Sequence, residues 1–179
     1  MSEEIILKFI CATLLLLCST PSDDLDYDYQ EKFTKEITDC ALAYNSSIYP
    51  YNRIPILVVQ AQAIQESNWG RSRFAVEGKN YFGMKEFNLT EPHMKAKLRP
   101  NATWGLRKYY SMCDSVDDYM NLLSTSHKYK EFQELLLKQW FLNEVDLYAL
   151  ADTLYNYAEN PNYVKEVKLI INKLEESIL

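Results

Sequence analysis

The sequence contains little glycine and proline, with 4 and 6 of these residues among 179. All-β folds rich in turns need many of both, so this scarcity argues against them and favours helices. The hydrophobic fraction of 47% and the charged fraction of 25% are those of an ordinary globular protein. A chain of this length fits one domain, which buries roughly 70% of its extended surface on folding.

The chain also lacks an excess of basic residues. It has 19 lysines and arginines against 25 aspartates and glutamates, which gives a net charge of −6. A nucleic-acid-binding domain needs a basic face, so we expect no nucleic-acid partner. Aromatic residues are abundant, at 13% with 14 tyrosines. Tyrosine combines a flat apolar ring with a polar hydroxyl and suits a groove that holds a polar ligand.

Metal-binding patterns are missing from the sequence. The four cysteines contain no C-x-x-C pair, and the two histidines, His93 and His127, form no His-Glu-x-x-His helix. We therefore expect no metal and no cofactor. Cys113 and His127 are compatible with a nucleophile pair, although small buried thiols are the commoner role. Cys40 and Cys113 could form a disulfide outside the cytosol, a pairing that the sequence leaves open.

The longest hydrophobic run, Ile5 to Cys18, is shorter than the roughly 20 residues that span a bilayer. It fits the apolar part of an export signal, although Glu3 and Glu4 stand where such signals carry positive charge. A buried or peripheral N-terminal helix is the alternative. We expect residues 1–22 to be an export signal or N-terminal hydrophobic segment, and residues 23–179 to form a monomeric domain without a stable membrane span.

Hydrophobic residues at helical spacing occur along most of the chain. Between Asn80 and Tyr110 this period fails, which predicts loops with one or two short strands. The polar stretch Ser19 to Asp28 is either a linker or the beginning of a first helix. The expected architecture is mainly α (α+β), a helical domain with a small β or irregular lobe. The predicted helices are Tyr29–Tyr44, Pro55–Trp69, a helix starting with a capping box at Ser115, Tyr129–Trp140, Asp146–Tyr157 and Pro161–Glu176.

Glu66 is the unusual polar residue. The second predicted helix is apolar nearly all round, and Glu66 lies near its C-terminus, beside Trp69. Burial, the helix dipole and the neighbouring indole would each raise the pKa of this carboxyl group. A protonated glutamate at a helix end above a groove is what general-acid cleavage of a glycosidic bond requires. On pattern alone, a solvated helix face is the alternative.

The segment around Glu66 resembles a known family. The sequence AQAIQESNWGRSRFA (61–75) looks like the helix and exit of the Bax-like glucosaminidases, which belong with the flagellar and autolysin-type β-N-acetylglucosaminidases of glycoside hydrolase family 73. The resemblance covers about residues 50–175 in the family's order. Its other parts are GKNYFG (78–83), LRKY (106–109), SVDDYMNL (115–122) and YAENPNYV (157–164).

This resemblance implies a lysozyme-like helical fold with a small β lobe, and residues 23–179 would form the glucosaminidase-like domain. A groove between the two parts would hold a peptidoglycan strand, cleaved after N-acetylglucosamine, at the cell envelope of a host or of a phage target. By residue match, Glu66 is the general acid and Tyr157 lines the catalytic cleft. Four further aromatic residues are candidates for substrate binding: Trp69, Tyr81, Phe82 and Tyr163. A place in the hydrophobic core is the alternative for each of them, and it is the favoured role for Phe82.

The sequence departs from the family in one respect. Autolysin-type relatives carry a second acidic residue in the β lobe, whereas residues 92–113 contain no aspartate or glutamate. Either Glu86 or Glu91 folds back into the cleft, each with solvated surface as its alternative, or the N-acetyl group of the substrate assists. The competing functions are a muramidase or lytic transglycosylase of the lysozyme superfamily, and a non-catalytic glycan-binding module.

Overall fold

The computed structural model of the protein describes residues 21–97 and 101–178. The chain divides into two units, residues 1–33 and 34–179. Of the first unit, residues 21–33 are described, and they form the N-terminal half of the first helix. The expected export segment therefore lies almost wholly outside the described residues. Within the described ranges, no helix is both long enough and apolar enough to cross a membrane.

The described residues form helices and one small antiparallel sheet, as the fold prediction expected. The strands are β1 (Lys85–Glu86), β2 (His93–Met94) and β3 (Gly105–Arg107), and β3 lies between the other two. Two short 3-10 helices cover Pro50–Asn52 and His127–Tyr129. The α-helices are α1 (Pro21–Ser46), α2 (Ile56–Ser67), α3 (Arg73–Gly78), α4 (Met112–Thr125), α5 (Lys130–Leu142), α6 (Leu147–Asp152) and α7 (Tyr163–Ile178).

The start of α4 differs from the prediction. The helix begins at Met112, because the capping box is formed by Ser111 and not by Ser115. The Ser111 hydroxyl accepts a hydrogen bond from the Asp114 backbone N–H at 3.1 Å, and the Asp114 carboxylate accepts one from the Ser111 N–H at 2.9 Å. Ser115 is buried instead, and its hydroxyl accepts a hydrogen bond from the Tyr81 backbone N–H at 3.2 Å.

Two other helix boundaries differ as well. Helix α1 already begins at Pro21, so residues 21–28 are helical and not a linker. Helix α6 ends at Asp152, although the prediction extended it to Tyr157. The Thr153 hydroxyl donates to the Leu150 carbonyl at 2.7 Å, and turn bonds replace the α-helical ladder over the following residues. This early ending brings Tyr157 onto a turn.

Helix α2 is the central helix of the second unit. It packs most extensively against α7, and Val58, Val59, Ala61 and Ala63 are fully buried. Such burial is what its sequence predicts, since apolar residues cover most of the circumference of the helix. On the side of α1, the Gln60 side-chain amide donates to the Thr38 hydroxyl at 2.8 Å.

A disulfide joins Cys40 of α1 to Cys113 of α4, the pairing that the sequence left open. The linked residues are 73 positions apart. In the chain-entropy model, closing a loop of this size stabilises the folded state by about 4 kcal/mol. The bridge also removes the Cys113 thiol, so the alternative of a nucleophile pair between Cys113 and His127 is wrong.

Candidate active site

Glu66 lies in the last turn of α2, immediately before a sharp reversal of the chain. Asn68, Trp69 and Gly70 all adopt the left-handed conformation, with φ of 51°, 58° and 73°. For a residue with a Cβ atom this conformation costs roughly 1 kcal/mol or more. Ser67 holds the reversal, since its hydroxyl donates to the Ala63 carbonyl at 2.5 Å and accepts from the Gly70 N–H at 2.7 Å.

The loop of residues 80–84 approaches the Glu66 carboxylate from the side of the small sheet. Gly83 has a φ of 66°, and a Cβ atom at this position would lie 3.1 Å from Glu66 Oε2. Glycine is therefore favoured here both by the backbone conformation and by the close contact. The loop is held by Asn80, whose side chain donates to the Met84 and Arg107 carbonyls at 2.8 and 2.9 Å and accepts from the Met84 N–H at 2.9 Å.

Aromatic rings pack around this site from four other parts of the chain. Phe82 stacks on Tyr119 with ring centroids 4.0 Å apart, and Tyr157 stacks on Tyr163 at 5.6 Å. Tyr157 meets Tyr119 edge to face at 6.0 Å and lies 6.1 Å from Tyr129. The Tyr157 hydroxyl donates to the Phe82 carbonyl at 2.7 Å, so this tyrosine ties the turn after α6 to the loop above Glu66.

Burial raises the pKa of Glu66 from 4.5 to about 7. A hydrogen bond donated by the Tyr163 hydroxyl opposes this effect, because it stabilises the ionised carboxylate. The raised pKa agrees with the sequence prediction, and its cause is the loss of solvent around the carboxyl group. A large fraction of Glu66 therefore carries a proton near neutral pH, as a general acid must.

The structure brings together some of the predicted site residues. Tyr157, partly exposed, and Tyr163, 2% exposed, lie next to Glu66, and Trp69 is half-buried at the exit of α2. Tyr81 is 7% exposed, so little of its surface is open to a ligand. Phe82 is 1% exposed and belongs to the core, the role favoured for it from the sequence.

Gln62 and Tyr119 are members of this site that the sequence reasoning did not assign. Both are fully buried and hydrogen bonded to each other, and Gln62 also donates to the Tyr163 hydroxyl at 2.5 Å. A signal for Gln62 was present in the sequence. It precedes Glu66 by four positions, so both polar side chains lie on one face of the helix.

Glu86, a candidate second carboxylate, belongs to a different network. Its carboxylate accepts hydrogen bonds from Arg107 Nε and the Asn88 backbone N–H, both at 2.9 Å. The Asn88 N–H is the leading cause that lowers the Glu86 pKa, and Arg107 acts in the same direction. The Glu86 side chain is 11% exposed, so the alternative of a solvated surface residue is wrong. Glu91 is exposed.

The described residues show no grouping of three or more His, Cys, Asp or Glu side chains that could hold a metal ion. Arg107, the cation beside Glu86, is shared with Asp118 at 2.6 Å. Asp118 also accepts a hydrogen bond from the Tyr109 hydroxyl at 2.5 Å. The chemistry that this arrangement offers is proton transfer at Glu66.

Comparisons with known proteins agree with this geometry. Residues 26–176 match the model of the glucosaminidase family, described as mannosyl-glycoprotein endo-beta-N-acetylglucosaminidase. The chain is 28% identical over 136 residues to the exo-glucosaminidase LytG of Bacillus subtilis, a match that covers 70% of this chain and 45% of LytG. It is 30% identical over 95 residues to protein bax of Escherichia coli, covering 52% of this chain and 32% of that protein. The chain thus spans less than half the length of these curated relatives.

A solved structure shows the same fold. The catalytic domain of the autolysin Auto from Listeria monocytogenes superimposes with a TM-score of 0.61 at 23% identity, over 98% of this chain and 96% of that domain. This likeness confirms the expected architecture of a helical domain with a small sheet.

Proposed function

Because the chain belongs to the glucosaminidase family, we propose that it hydrolyses the glycan strands of peptidoglycan after N-acetylglucosamine, with Glu66 as the general acid. The observation that carries this proposal is the state of Glu66. It is a carboxyl group at a helix end, half-buried among aromatic side chains, and burial raises its pKa to about 7. This combination allows one side chain to donate a proton to a leaving group at neutral pH.

In the first chemical step, protonated Glu66 gives its proton to the glycosidic oxygen while the bond from that oxygen to the anomeric carbon breaks. The carbonyl oxygen of the substrate's 2-acetamido group forms a bond to the anomeric carbon from the opposite face, which gives a cyclic oxazolinium ion. In the second step, the Glu66 carboxylate takes a proton from water, whose oxygen attacks the anomeric carbon and opens this ring.

Assistance by the substrate is proposed because Glu86 and Glu91, the two acidic residues before the segment 92–113, are poorly suited to act as a base. Glu86 accepts hydrogen bonds from Arg107 and from the Asn88 N–H, which stabilise its charge and weaken it as a base. Glu91 lies on the exposed surface. Residues 92–113 contain no aspartate or glutamate, so the amide of the substrate is proposed as the internal nucleophile.

Aromatic contacts would hold the glycan beside Glu66. We propose that Trp69 and Tyr157, which keep exposed surface, contact the sugar rings, while Tyr81 and Tyr163 support the groove from below. A net charge of −6 provides no general attraction to anionic walls, so stacking and hydrogen bonds would supply the affinity. No cofactor is required by this mechanism.

We also propose that the protein acts outside the cytosol, as a monomer. A disulfide between Cys40 and Cys113 forms and persists in oxidising compartments. The hydrophobic run of residues 5–18 is consistent with export. Thiol labelling of the protein in fractionated cells tests this placement, since an exported protein would have both cysteines protected before reduction and reactive after it.

Digestion of purified peptidoglycan tests the activity. The full chain and its Glu66→Gln and Glu91→Gln variants are incubated with the polymer, and the reduced products are identified by mass spectrometry. Reduced N-acetylglucosamine ends from wild type and Glu91→Gln, and none from Glu66→Gln, support the proposal. N-acetylmuramic or anhydromuramic ends would identify a muramidase or a lytic transglycosylase. Intact glycan with folded wild-type protein would instead favour a glycan-binding module.

The time course of the same digestion separates two modes of cleavage. We expect internal cleavage, which yields products of mixed length from the earliest times. Since the relative LytG is described as an exo-glucosaminidase, release from chain ends is the alternative. That mode would produce short products first and leave the remaining polymer long.

A further inference from the structure

Three buried polar side chains form a hydrogen-bonded chain that ends next to Glu66. The Tyr119 hydroxyl donates to Gln62 Oε1, and Gln62 Nε2 donates to the Tyr163 oxygen at 2.5 Å. The Tyr163 hydroxyl in turn lies beside the Glu66 carboxylate and, as a hydrogen-bonding group, opposes the rise of its pKa. Tyr119 and Gln62 are fully buried and Tyr163 is 2% exposed. We call these three residues the relay.

The order of donors in the relay follows from what each group can do. Tyr119 supplies a proton to the amide oxygen, so the amide nitrogen of Gln62 faces Tyr163. An amide nitrogen only donates, and the Tyr163 oxygen must therefore accept from it. The single hydroxyl proton of Tyr163 is then free to point at Glu66. Reversing any link would leave a buried donor or acceptor unpaired, which costs about 1–3 kcal/mol.

We propose that Gln62, held in place by Tyr119, is a positioning residue that aims the Tyr163 hydroxyl at Glu66. The inference rests on the proposed function, in which Glu66 alternates between acid and carboxylate. A hydroxyl fixed in this direction stabilises the ionised form of Glu66 and opposes the effect of burial. It also fixes the orientation of the carboxyl group, which a proton donor must hold toward the leaving oxygen.

The groups that face Glu66 carry no charge near pH 7, so a change in the hydrogen bonding of the relay should show clearly in the Glu66 pKa. Tyrosines approach it from α4, from the second 3-10 helix, from the turn after α6 and from α7, and burial together with the Glu66 charge raises the pKa of each of them. All four hydroxyls are therefore neutral near pH 7. The loop above Glu66 approaches it with Gly83, which bears no charge. The four tyrosines are Tyr119, Tyr129, Tyr157 and Tyr163.

The experiment measures the Glu66 pKa directly, without reference to activity. The full chain is labelled with 13C-glutamate, and the side-chain carboxyl resonance is titrated by NMR and assigned by its loss in Glu66→Gln. The relay is interrupted at its last link by Tyr163→Phe, at its middle by Gln62→Met and at its start by Tyr119→Phe. Tyr129→Phe is the matched control, since it removes a buried hydroxyl near Glu66 that is not part of the relay.

We expect the Glu66 pKa to rise by about one unit in Tyr163→Phe, by about half a unit in Gln62→Met and by less in Tyr119→Phe. The alkaline limb of the pH–rate profile should move with it. In the double variant Gln62→Met/Tyr163→Phe, the pKa should equal that of Tyr163→Phe alone, because Gln62 acts through Tyr163. Tyr129→Phe should shift it less than Gln62→Met does.

Two results would overturn the inference. One is an unchanged Glu66 pKa in folded Gln62→Met. The other is a pKa shift in the double variant that equals the sum of the two single-variant shifts. Either would show that Gln62 does not act through Tyr163. Folding is checked by circular dichroism, and a relay variant that fails to fold is replaced by Gln62→Leu or Gln62→Ala. If the wild type shows the expected pKa behaviour but cleaves no peptidoglycan, the proposed function fails while the relay stands.

Discussion

Glu66 in the central helix and Glu86 in the small sheet carry the same chemical group in opposite surroundings. Glu66 is enclosed by aromatic rings, and burial raises its pKa to about 7. Glu86 also has little exposure, with its side chain 11% exposed, but it faces the Asn88 N–H and Arg107, and its pKa is lowered. The difference lies in what replaces the lost water, since apolar rings favour the neutral acid and cationic or N–H donors favour the anion.

This contrast explains why one carboxyl group suits catalysis and the other suits structure. A general acid must still hold its proton at the working pH, which requires an environment that penalises charge. A carboxylate that links β1 to β3 must stay ionised, which the Asn88 N–H and Arg107 both favour, and Arg107 also pairs with Asp118 of α4. The same side chain could not do both.

The largest expected effect is on cleavage by the two isosteric amide variants. Glu66→Gln removes both the proton donor of the first step and the base of the second, so its rate should fall at least about a thousandfold. Glu86→Gln should retain activity within about tenfold, because Glu86 takes no part in the chemistry. Initial rates of reducing-end release from peptidoglycan measure both. A comparable loss in Glu86→Gln would make Glu86 the base and contradict substrate assistance.

The next effect concerns stability against pH. The folded-state pKa of Glu66, about 7, lies above its unfolded value of 4.5, so the folded protein binds more protons between these pH values. The stability that this contributes is fully present below pH 4.5 and is lost as the pH rises through 7. Glu66→Gln has no such pH-dependent contribution to lose. Its free energy of unfolding should exceed that of the wild type by up to about 3 kcal/mol above pH 8 and should match it near pH 4.

Urea unfolding at a series of pH values measures this difference. Glu86→Gln serves as the contrasting variant, because the lowered pKa of Glu86 gives the opposite sign. Its contribution to the wild type is present above the ordinary pKa of a glutamate and is lost as the pH falls. Equal pH profiles for Glu66→Gln and the wild type would show that Glu66 is not buried in solution as the structure has it.

A smaller effect is expected at Gly83, where the backbone approaches Glu66. In Gly83→Ala the new methyl group would lie 3.1 Å from Glu66 Oε2 at a φ of 66°, so either the loop or the carboxyl group must shift. We expect a loss of stability of about 1 kcal/mol from the backbone conformation, and a further loss of activity of about tenfold from the displaced acid. Thermal unfolding and kcat are measured together, and a stability loss with unchanged kcat would exclude the contact with Glu66.

Local sequence patterns predicted the fold class and the position of Glu66. Helical spacing was sufficient for most helices, because it depends on neighbouring residues, and the resemblance around residues 61–75 assigned the family that the comparisons then showed. Helix limits were less predictable. Ser115 and Ser111 both precede acidic residues, and the choice between them depends on the burial of Ser115 against the loop that contains Tyr81.

The surroundings of the two glutamates could not be predicted in this way. Gln62 and Tyr163, which are bonded directly, are 101 positions apart, and Glu86 and Arg107 are 21 positions apart. Such pairs form because the tertiary fold brings separate elements together, and a single sequence carries no periodic signal for them. The covered position of Glu86 was missed for this reason, since a lone glutamate in an irregular segment has the pattern of a surface residue.

The smallest expected effect is the loss of stability in Glu86→Gln at neutral pH, and its salt dependence sharpens the comparison. The amide can still accept from the Asn88 N–H, and Arg107 keeps its partner Asp118 at 2.6 Å, so the loss should be about 1 kcal/mol. Because this loss is electrostatic and Arg107 is partly exposed, it should shrink in about 1 M salt, where charges are screened within about 3 Å. The pH-dependent difference between Glu66→Gln and the wild type arises from burial and should persist at the same salt concentration. Urea unfolding of both variants at low and high salt measures this, and a salt-independent loss in Glu86→Gln would show that Glu86 acts through packing and not through its charge.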